Sequence, residues 1–570
     1  MHIDTLPRIR RKRWTAGLFF ALALLFAGPL LLSSQAPQKL QAAEEELGLE
    51  TPGTLRVGME GNYAPFNWSQ ITDEDGAVPI FNSPGEYAYG YDVWIAKQLA
   101  EKLDLKLEIL KTDWEGLTPA LFSGRIDAII AGMSPTPDRL KEIDFSDIYY
   151  RSDLVLVVRK DSPYAGAVAL SDFSGAHVTG ALNSFSYGII EQIPGVHRET
   201  AMDSFPTMIS SLLSGKVDSY ICERPAALAA VRANRELSFI AFKEGEGFVS
   251  NPADTAIAVG LRKGSPIRVK MNQILAEIPE SERQAAMERM VALQDEHAAE
   301  LEEAAAEENT ESESAAPPSF FATVYKLLRE YGPLFLNGTL STMVIAIVGT
   351  FLGFIIGLLV QILRSVRCGY AAPLAKRLPL RVIQFLCNAY VEIFRGTPMM
   401  VQAMLIFYGG KLFFNVDLSA LVSSFIIVSV NSGAYLAEIV RGGIDSVDPG
   451  QWEACEAIGL SHWESMTKVI LPQTMKAIFP AIGNEFVTNI KDTSVLNVIA
   501  VSELFFATRS VAGATLKVFQ SYFITAVIYF ILTFAATRFI NALAARGSRV
   551  RPFLLSSEEE KGADGDGADI

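Results

Sequence analysis

The C-terminal part of the chain is dominated by long apolar segments, near residues 334–363, 386–413, 418–440, 478–505 and 519–541. Stretches of this length bury every backbone polar group only as helices in a bilayer, so about five membrane-spanning helices are expected. Charge fixes their direction. Arg364, Arg367, Lys376, Arg377 and Arg381 follow the first segment, and Arg441, Lys468 and Lys476 follow the third. Arg538, Arg546, Arg549 and Arg551 follow the last, whereas Asn415 to Ser419 carries only Asp417. The positive-inside rule places the basic loops in the cytoplasm and Phe320 to Pro333 outside.

The first 300 residues are of a different kind. Arg8 to Arg13 is basic and runs into an apolar stretch, Thr15 to Leu32, followed by Ser33-Ser34-Gln35-Ala36. Residues 1–43 therefore read as a signal peptide or an uncleaved signal anchor. Both readings export the chain from Glu44 onward, in agreement with the charge rule. Residues 44–298 read as an extracytoplasmic α/β domain, with β-rich runs such as Leu154 to Val158 alternating with helical patterns such as Asp92 to Leu103. Two stretches echo each other. Trp114 to Gly124 followed by Arg125-Ile126-Asp127, and Phe205 to Gly215 followed by Lys216-Val217-Asp218, both read helix, Ser-Gly, basic, aliphatic, Asp. That pattern suggests two lobes of similar local build. Residues 299–319 form an acidic linker ending in Pro317-Pro318, and 549–570 an acidic, Gly-rich tail expected to be disordered.

Composition excludes several functions. The 570 residues carry 49 Lys+Arg and 64 Asp+Glu, a net charge of −15, which argues against nucleic-acid binding. The 4 Cys form no C-x-x-C pair and the 5 His form no H-E-x-x-H, so no metal site is expected.

Three places in the exported domain could carry binding chemistry. Tyr63-Ala64-Pro65-Phe66-Asn67-Trp68 follows the first strand, where its aromatics either line a cleft or pack the loop on the core. Gly132-Met133-Ser134-Pro135-Thr136-Pro137-Asp138-Arg139 places a hydroxyl and a guanidinium after a strand, at a helix start, a set that suits a carboxylate or a surface Arg on a capped helix. Glu223 stands at a strand end before Pro225, where it could meet an ammonium or cap the helix. In the membrane half, Glu453-Ala454-Cys455-Glu456-Ala457-Ile458-Gly459 and then Val469-Ile470-Leu471-Pro472 read as a short helix, a Gly break, a second helix and a Pro stop. Such an elbow can transmit force from a partner or simply lie at the membrane surface.

Taken in order, Gly58 to Phe66, Gly90-Tyr91-Asp92-Val93, Asp113 to Leu117, Gly124 to Met133 and Asp144 to Asp147 resemble the periplasmic binding proteins for polar amino acids. The elbow spacing, with Phe394-Arg395-Gly396-Thr397-Pro398 and Lys491-Asp492-Thr493-Ser494, resembles the amino-acid permeases of ABC importers. The resemblance implies a two-lobed α/β type II periplasmic-binding-protein fold followed by an all-α ABC importer transmembrane domain over 320–548, with a cytoplasmic coupling loop at 445–475. It implies that Tyr63 and Phe66 flank the ligand side chain, and that the Gly132 amide, Ser134, Arg139 and Ser184 (after Asn183) hold the α-carboxylate. Glu223 then binds the α-ammonium, and Glu60 matches a position that touches cationic side chains in some members. Glu453, Ala454, Gly459, Leu471 and Pro472 are the coupling positions. The ligand class it implies is a polar L-amino acid, cationic or glutamine-like.

The sequence carries no G-x-x-x-x-G-K-[ST], so ATP and Mg²⁺ are expected on a separate cytoplasmic ABC ATPase dimer, with no cofactor and no catalytic residue in this chain. A homodimer through the membrane domain is expected, in a bacterial cell membrane. The alternatives are an amino-acid sensor or ligand-gated channel on the same binding fold, and an enzyme with an acid–base carboxylate in the cleft. The channel needs a pore loop beside a split binding domain, and the sensor needs a signalling domain after the last span. For the enzyme, Glu223 is the one acid–base candidate.

Overall fold

The computed structural model describes residues 47–182, 184–243, 246–249, 255–307, 320–366 and 374–547. The expected signal segment, most of the acidic linker, Asn183, Cys368 and the acidic tail lie outside these residues. The first part of the expected linker continues the helix Glu280–Glu307.

The α/β part is built on two five-stranded sheets, with a small four-stranded sheet formed by residues 62–89. Strands β1 (Thr54–Met59), β2 (Lys106–Lys111), β3 (Ala128–Ile129) and β4 (Asp144–Arg151) start the first lobe. The chain then crosses to the second lobe with β5 (Leu154–Arg159), β6 (His177–Thr179), β7 (His197–Arg198), β8 (Ser219–Glu223) and β9 (Leu237–Ile240). It returns with β10 (Ala256–Leu261), giving the orders β2-β1-β3-β10-β4 and β7-β6-β8-β5-β9. Neighbours of β1 are parallel, and the strands at the crossovers pair antiparallel. The central strands β1, β5 and β10 are buried on both faces, which is why they read as near-continuous apolar runs.

The internal echo is structural. Helix α1 (Trp114–Phe122) leads through Gly124 (φ +70°) to Asp127, and α2 (Phe205–Leu213) through Gly215 (φ +74°) to Asp218. The Asp127 carboxylate accepts from the amides of Glu50 and Arg56, and Asp218 Oδ2 from the amide of His177, 2.9 Å away. In both lobes the helix therefore ends in a left-handed glycine, and an Asp ties the next strand to its neighbour.

The C-terminal half is helical: α3 (Phe320–Ser365), α4 (Leu374–Gly396), α5 (Met399–Phe414), α6 (Ala420–Asp445), α7 (Pro449–Ala457), α8 (Leu471–Asp492), α9 (Leu504–Thr515) and α10 (Val518–Gly547). Among the described residues, α3, α6 and α10 are long and apolar enough to cross a membrane as single helices. The second and fourth apolar segments are broken rather than straight. The second splits between α4 and α5 at Thr397-Pro398, because Pro398 holds an extended ψ of 141° ahead of α5. The fourth runs from α8 through a 3₁₀ stretch, Thr493–Ile499, to Ala500 at φ +59°, and meets α9 at 57°. Helices α3 and α6 pack closely because Gly353 and Gly357 lie on the contact face; a Cβ at Gly357 would stand 2.7 Å from the Ala437 amide nitrogen. Deeper in the bundle, Asn489 donates to Thr350 and Ser432, and Asn431 to Gln402. These buried polar groups satisfy one another as low-dielectric surroundings require.

Candidate functional site

The two lobes of the α/β part enclose a cleft of about 760 Å³, part of it open to solvent. Glu60, Asn62, Tyr63, Trp114, Gly132, Ser134 and Arg139 line it from the first lobe, and Ser184, Phe185, Ser186, Asp203, Phe205, Met208 and Glu223 from the second. Of the eight residues singled out in the sequence, all but Phe66 line this cleft. Phe66 is fully buried and stacks behind Tyr63, with ring centroids 5.1 Å apart.

A buried network positions the first-lobe loops. The Asp92 carboxylate accepts from Tyr149 at 2.6 Å and Asn67 at 2.8 Å, and Asn67 Oδ1 in turn accepts from the Gly61 amide. Burial raises the Asp92 carboxyl to about 6, against these donors. The Gly132 backbone also acts to lower the Asp92 carboxyl. Gly132 has φ +62°, and a Cβ there would stand 2.9 Å from Tyr63 Cε1, so the position requires glycine.

Arg139 opens a helix only one turn long, Arg139–Glu142, so the guanidinium rather than a helix terminus carries the positive charge. Its Nη1 donates to the Ser134 carbonyl at 2.9 Å, and its guanidinium carbon lies 5.1 Å from the centre of the Trp114 ring. Burial lowers it to about 10, opposed by the carboxylate of Glu223. Glu223 ends β8 and precedes the helix Arg224–Ala233, as the sequence predicts. Its Oε2 accepts from the Tyr63 hydroxyl across the cleft. Burial, then that carboxylate, pushes the Tyr63 phenol well above its ordinary range. Ser184 Oγ donates to the Ala181 carbonyl at 2.5 Å and accepts from the Tyr187 amide. Glu60, at the end of β1, is raised by burial to about 8; Arg509 opposes the shift, and Asp113, Glu115 and Asp203 add to it.

Sequence reasoning missed Asn62, Trp114, Asp203 and Arg509. Asn62 and Trp114 carried a signal, since each stands inside a quoted motif; Asp203 and Arg509 have none, because the fold brings them in from distant segments.

The helical half carries the α/β part at one end. Arg125 Nη1 lies 3.0 Å from Asp417, in the loop between α5 and α6, and Arg509 Nη1 lies 2.7 Å from Asp113. The Ser502 hydroxyl donates to the Asn82 carbonyl. The elbow expected at 445–475 begins where α6 ends, 26 residues and about 39 Å from the Asp417 loop at 1.5 Å per residue. It consists of α7, Gly459 at φ +78°, a turn His462–Ser465 with a Ser461–Glu464 capping box, and a π turn Met466–Ile470. Pro472 is not a stop: it sits in the first turn of α8, where a missing amide costs little, and the π turn lets the helix run on. Glu453, Ala454, Gly459 and Pro472 are exposed and Leu471 half-buried. Ile458 (75% exposed) and Trp463 (59%) present apolar surface beside them. The Trp452 and His462 rings stack at 5.3 Å and join the two arms.

Residues 55–290 match the family described as bacterial extracellular solute-binding proteins, family 3. Residues 368–549 match the binding-protein-dependent transport system inner membrane component. Over 218 residues the chain is 33% identical to the Probable amino-acid ABC transporter permease protein YckA of Bacillus subtilis, covering 38% of this chain and 91% of that protein. Over 215 residues it is 32% identical to the glutamine transport system permease protein GlnP of Escherichia coli, covering 38% and 93%. The crystal structure of the substrate binding protein of an amino acid ABC transporter matches with 28% identity and a TM-score of 0.36, over 42% of this chain and 99% of that one.

Proposed function

Because this chain belongs to the amino-acid ABC transporter permeases and carries a family 3 solute-binding domain ahead of its permease, we propose that it captures a polar L-amino acid outside the cell and forms the path for its import. The observation that carries this reading is the pairing of Arg139 from one lobe with Glu223 from the other on a single cleft. A zwitterion needs one cation and one anion on the same cleft, and closure of the lobes brings both to it. Tyr63 and Phe205 supply the apolar walls.

Charge selects among amino acids. Arg139 and Glu223 match the α-groups, which leaves Glu60 and Asp203 as unmatched acids on the cleft wall. That excess suits a cationic side chain such as arginine or lysine. Glutamine, which the Escherichia coli relative is named for, is the rival.

Import is driven from the far end. The elbow at 449–470, with exposed Ile458 and Trp463, is the docking surface for a separate ABC ATPase dimer, which holds ATP and Mg²⁺. That places the elbow in the cytoplasm and the α/β domain outside, in accord with the basic loops. Two copies of the chain form the path, each with its own tethered binding domain at millimolar effective concentration.

Proteoliposomes containing the chain and an amino-acid ABC ATPase subunit should accumulate labelled arginine or lysine only when ATP is supplied on the elbow side. Flux that is independent of ATP would point to a channel instead.

A further inference from the structure

One corner of the permease reaches both lobes of the binding domain. Helix α9 ends at Leu516, whose φ of +54° turns the chain into α10. On the first lobe, Arg509 pairs with Asp113 at 2.7 Å, Ser510 accepts from Lys111, and a Cβ at Gly513 would stand 2.5 Å from that of Asn62. On the second lobe, Leu516 is buried in the cluster of Phe205 and Met208, and Lys517 Nζ donates to the Ala233 carbonyl at 3.0 Å. The corner therefore lies against cleft-lining residues of both lobes.

Arg509 is the cation of this corner whose charge acts on the cleft acids. Its side chain is 13% exposed, as is that of Asp113, and it also stands in the field of Glu60 and Asp203, one from each lobe. Glu60 and Asp203 are the acids that the proposed ligand leaves unmatched. A low-dielectric cleft cannot give the same carboxylates to two cations without mutual repulsion.

We propose that Arg509 is a ligand-release residue, a permease cation that competes with a cationic substrate for Glu60 and Asp203 in the docked domain and so weakens the hold on it at the mouth of the translocation path. This rests on the cationic-ligand reading above. Linkage makes the effect reciprocal, since a bound cationic ligand weakens the docking of this corner by the same factor. A neutral ligand escapes the effect, because it makes no demand on the two acids.

The test uses the full chain in lipid nanodiscs, titrated with arginine and with glutamine. Arg509→Gln should tighten arginine binding by about fivefold or more while changing glutamine binding by less than about twofold. Arg509→Lys, which keeps the charge, should retain wild-type affinity and guards against a folding artefact. If wild type binds arginine and Arg509→Gln leaves that affinity unchanged or weaker, the proposal fails alone. Equal tightening for arginine and glutamine would also overturn it, since Arg509 would then act on closure and not on ligand charge. A wild-type chain that binds no cationic amino acid removes the substrate reading and this proposal together.

Discussion

The Tyr63 hydroxyl of the first lobe donates a hydrogen bond to Glu223 Oε2 of the second. It is a direct polar link between the walls of the cleft, and it holds the carboxylate that faces Arg139. Hydrogen bonds to a charged partner in such surroundings are worth about 1.5–3 kcal/mol. Tyr63→Phe should therefore open the ligand-free lobes and weaken amino-acid binding about tenfold. Interlobe distances from a pair of spin labels, measured with and without ligand, check this. An unchanged ligand-free distance would show that the link does not hold the lobes.

The carboxyl of Glu60, at about 8, makes the cleft pH-dependent. Arg509, Asp113, Glu115 and Asp203 are the charged groups that act on it. Its folded value lies above the ordinary 4.5, so between those values the folded state holds more protons than the unfolded one, and stability falls as pH rises through that window. Glu60→Gln should raise the melting temperature at pH 7, by on the order of 2 °C. A cationic ligand favours the ionised form, so its binding expels a proton below pH 8 and its affinity rises with pH up to that point. Titrations from pH 5.5 to 9 should show this rise in wild type and a flat profile in Glu60→Gln; a flat wild-type profile would separate Glu60 from the ligand.

Lys111 and Glu86 form a buried pair at 3.1 Å, 3% and 1% exposed, close beneath the permease contact. Burial lowers the Lys111 ammonium, with Glu86 opposing. Glu86→Ala leaves that cation without its charge partner and should cost about 3 kcal/mol. The double change Glu86→Met with Lys111→Met should recover most of the loss. Denaturant melts of the three chains decide it; a single-variant loss under about 1 kcal/mol would mean water reaches the site.

Much of this architecture is legible along the chain because it is local. The Gly-basic-aliphatic-Asp turns at 124–127 and 215–218 announce both lobes, since a left-handed glycine that ends a helix is set by its near neighbours. The cleft acids are not legible as a set. Glu60 and Asp203 are far apart in sequence, and Arg509 acts on them only because α9 packs against the first lobe, where Arg509 pairs with Asp113. Span number was read from hydropathy, which cannot register that Pro398 and the left-handed Ala500 break two of the segments. Pro472 misleads for a related reason: a proline in the first helical turn has the same sequence signature as one that ends a helix.

The elbow should act without touching the ligand. Ile458→Asp combined with Trp463→Ala removes the exposed apolar surface at 449–470. Amino-acid binding should be unchanged, while co-purification of the ATPase subunit and ATP-driven uptake should be lost. Retained uptake would place the ATPase contact elsewhere.

The central claim is that Arg139 and Glu223 clasp the two ends of a free amino acid. Calorimetric titration of the full chain against each common amino acid, in wild type, Arg139→Ala and Glu223→Gln, tests it most directly. The account predicts tight binding of a small group led by arginine or lysine, weakened by about 10- to 100-fold by either substitution, the scale of losing a charge-assisted contact in a closed cleft. Binding that survives both substitutions, or no binding of any amino acid by wild type, would contradict it.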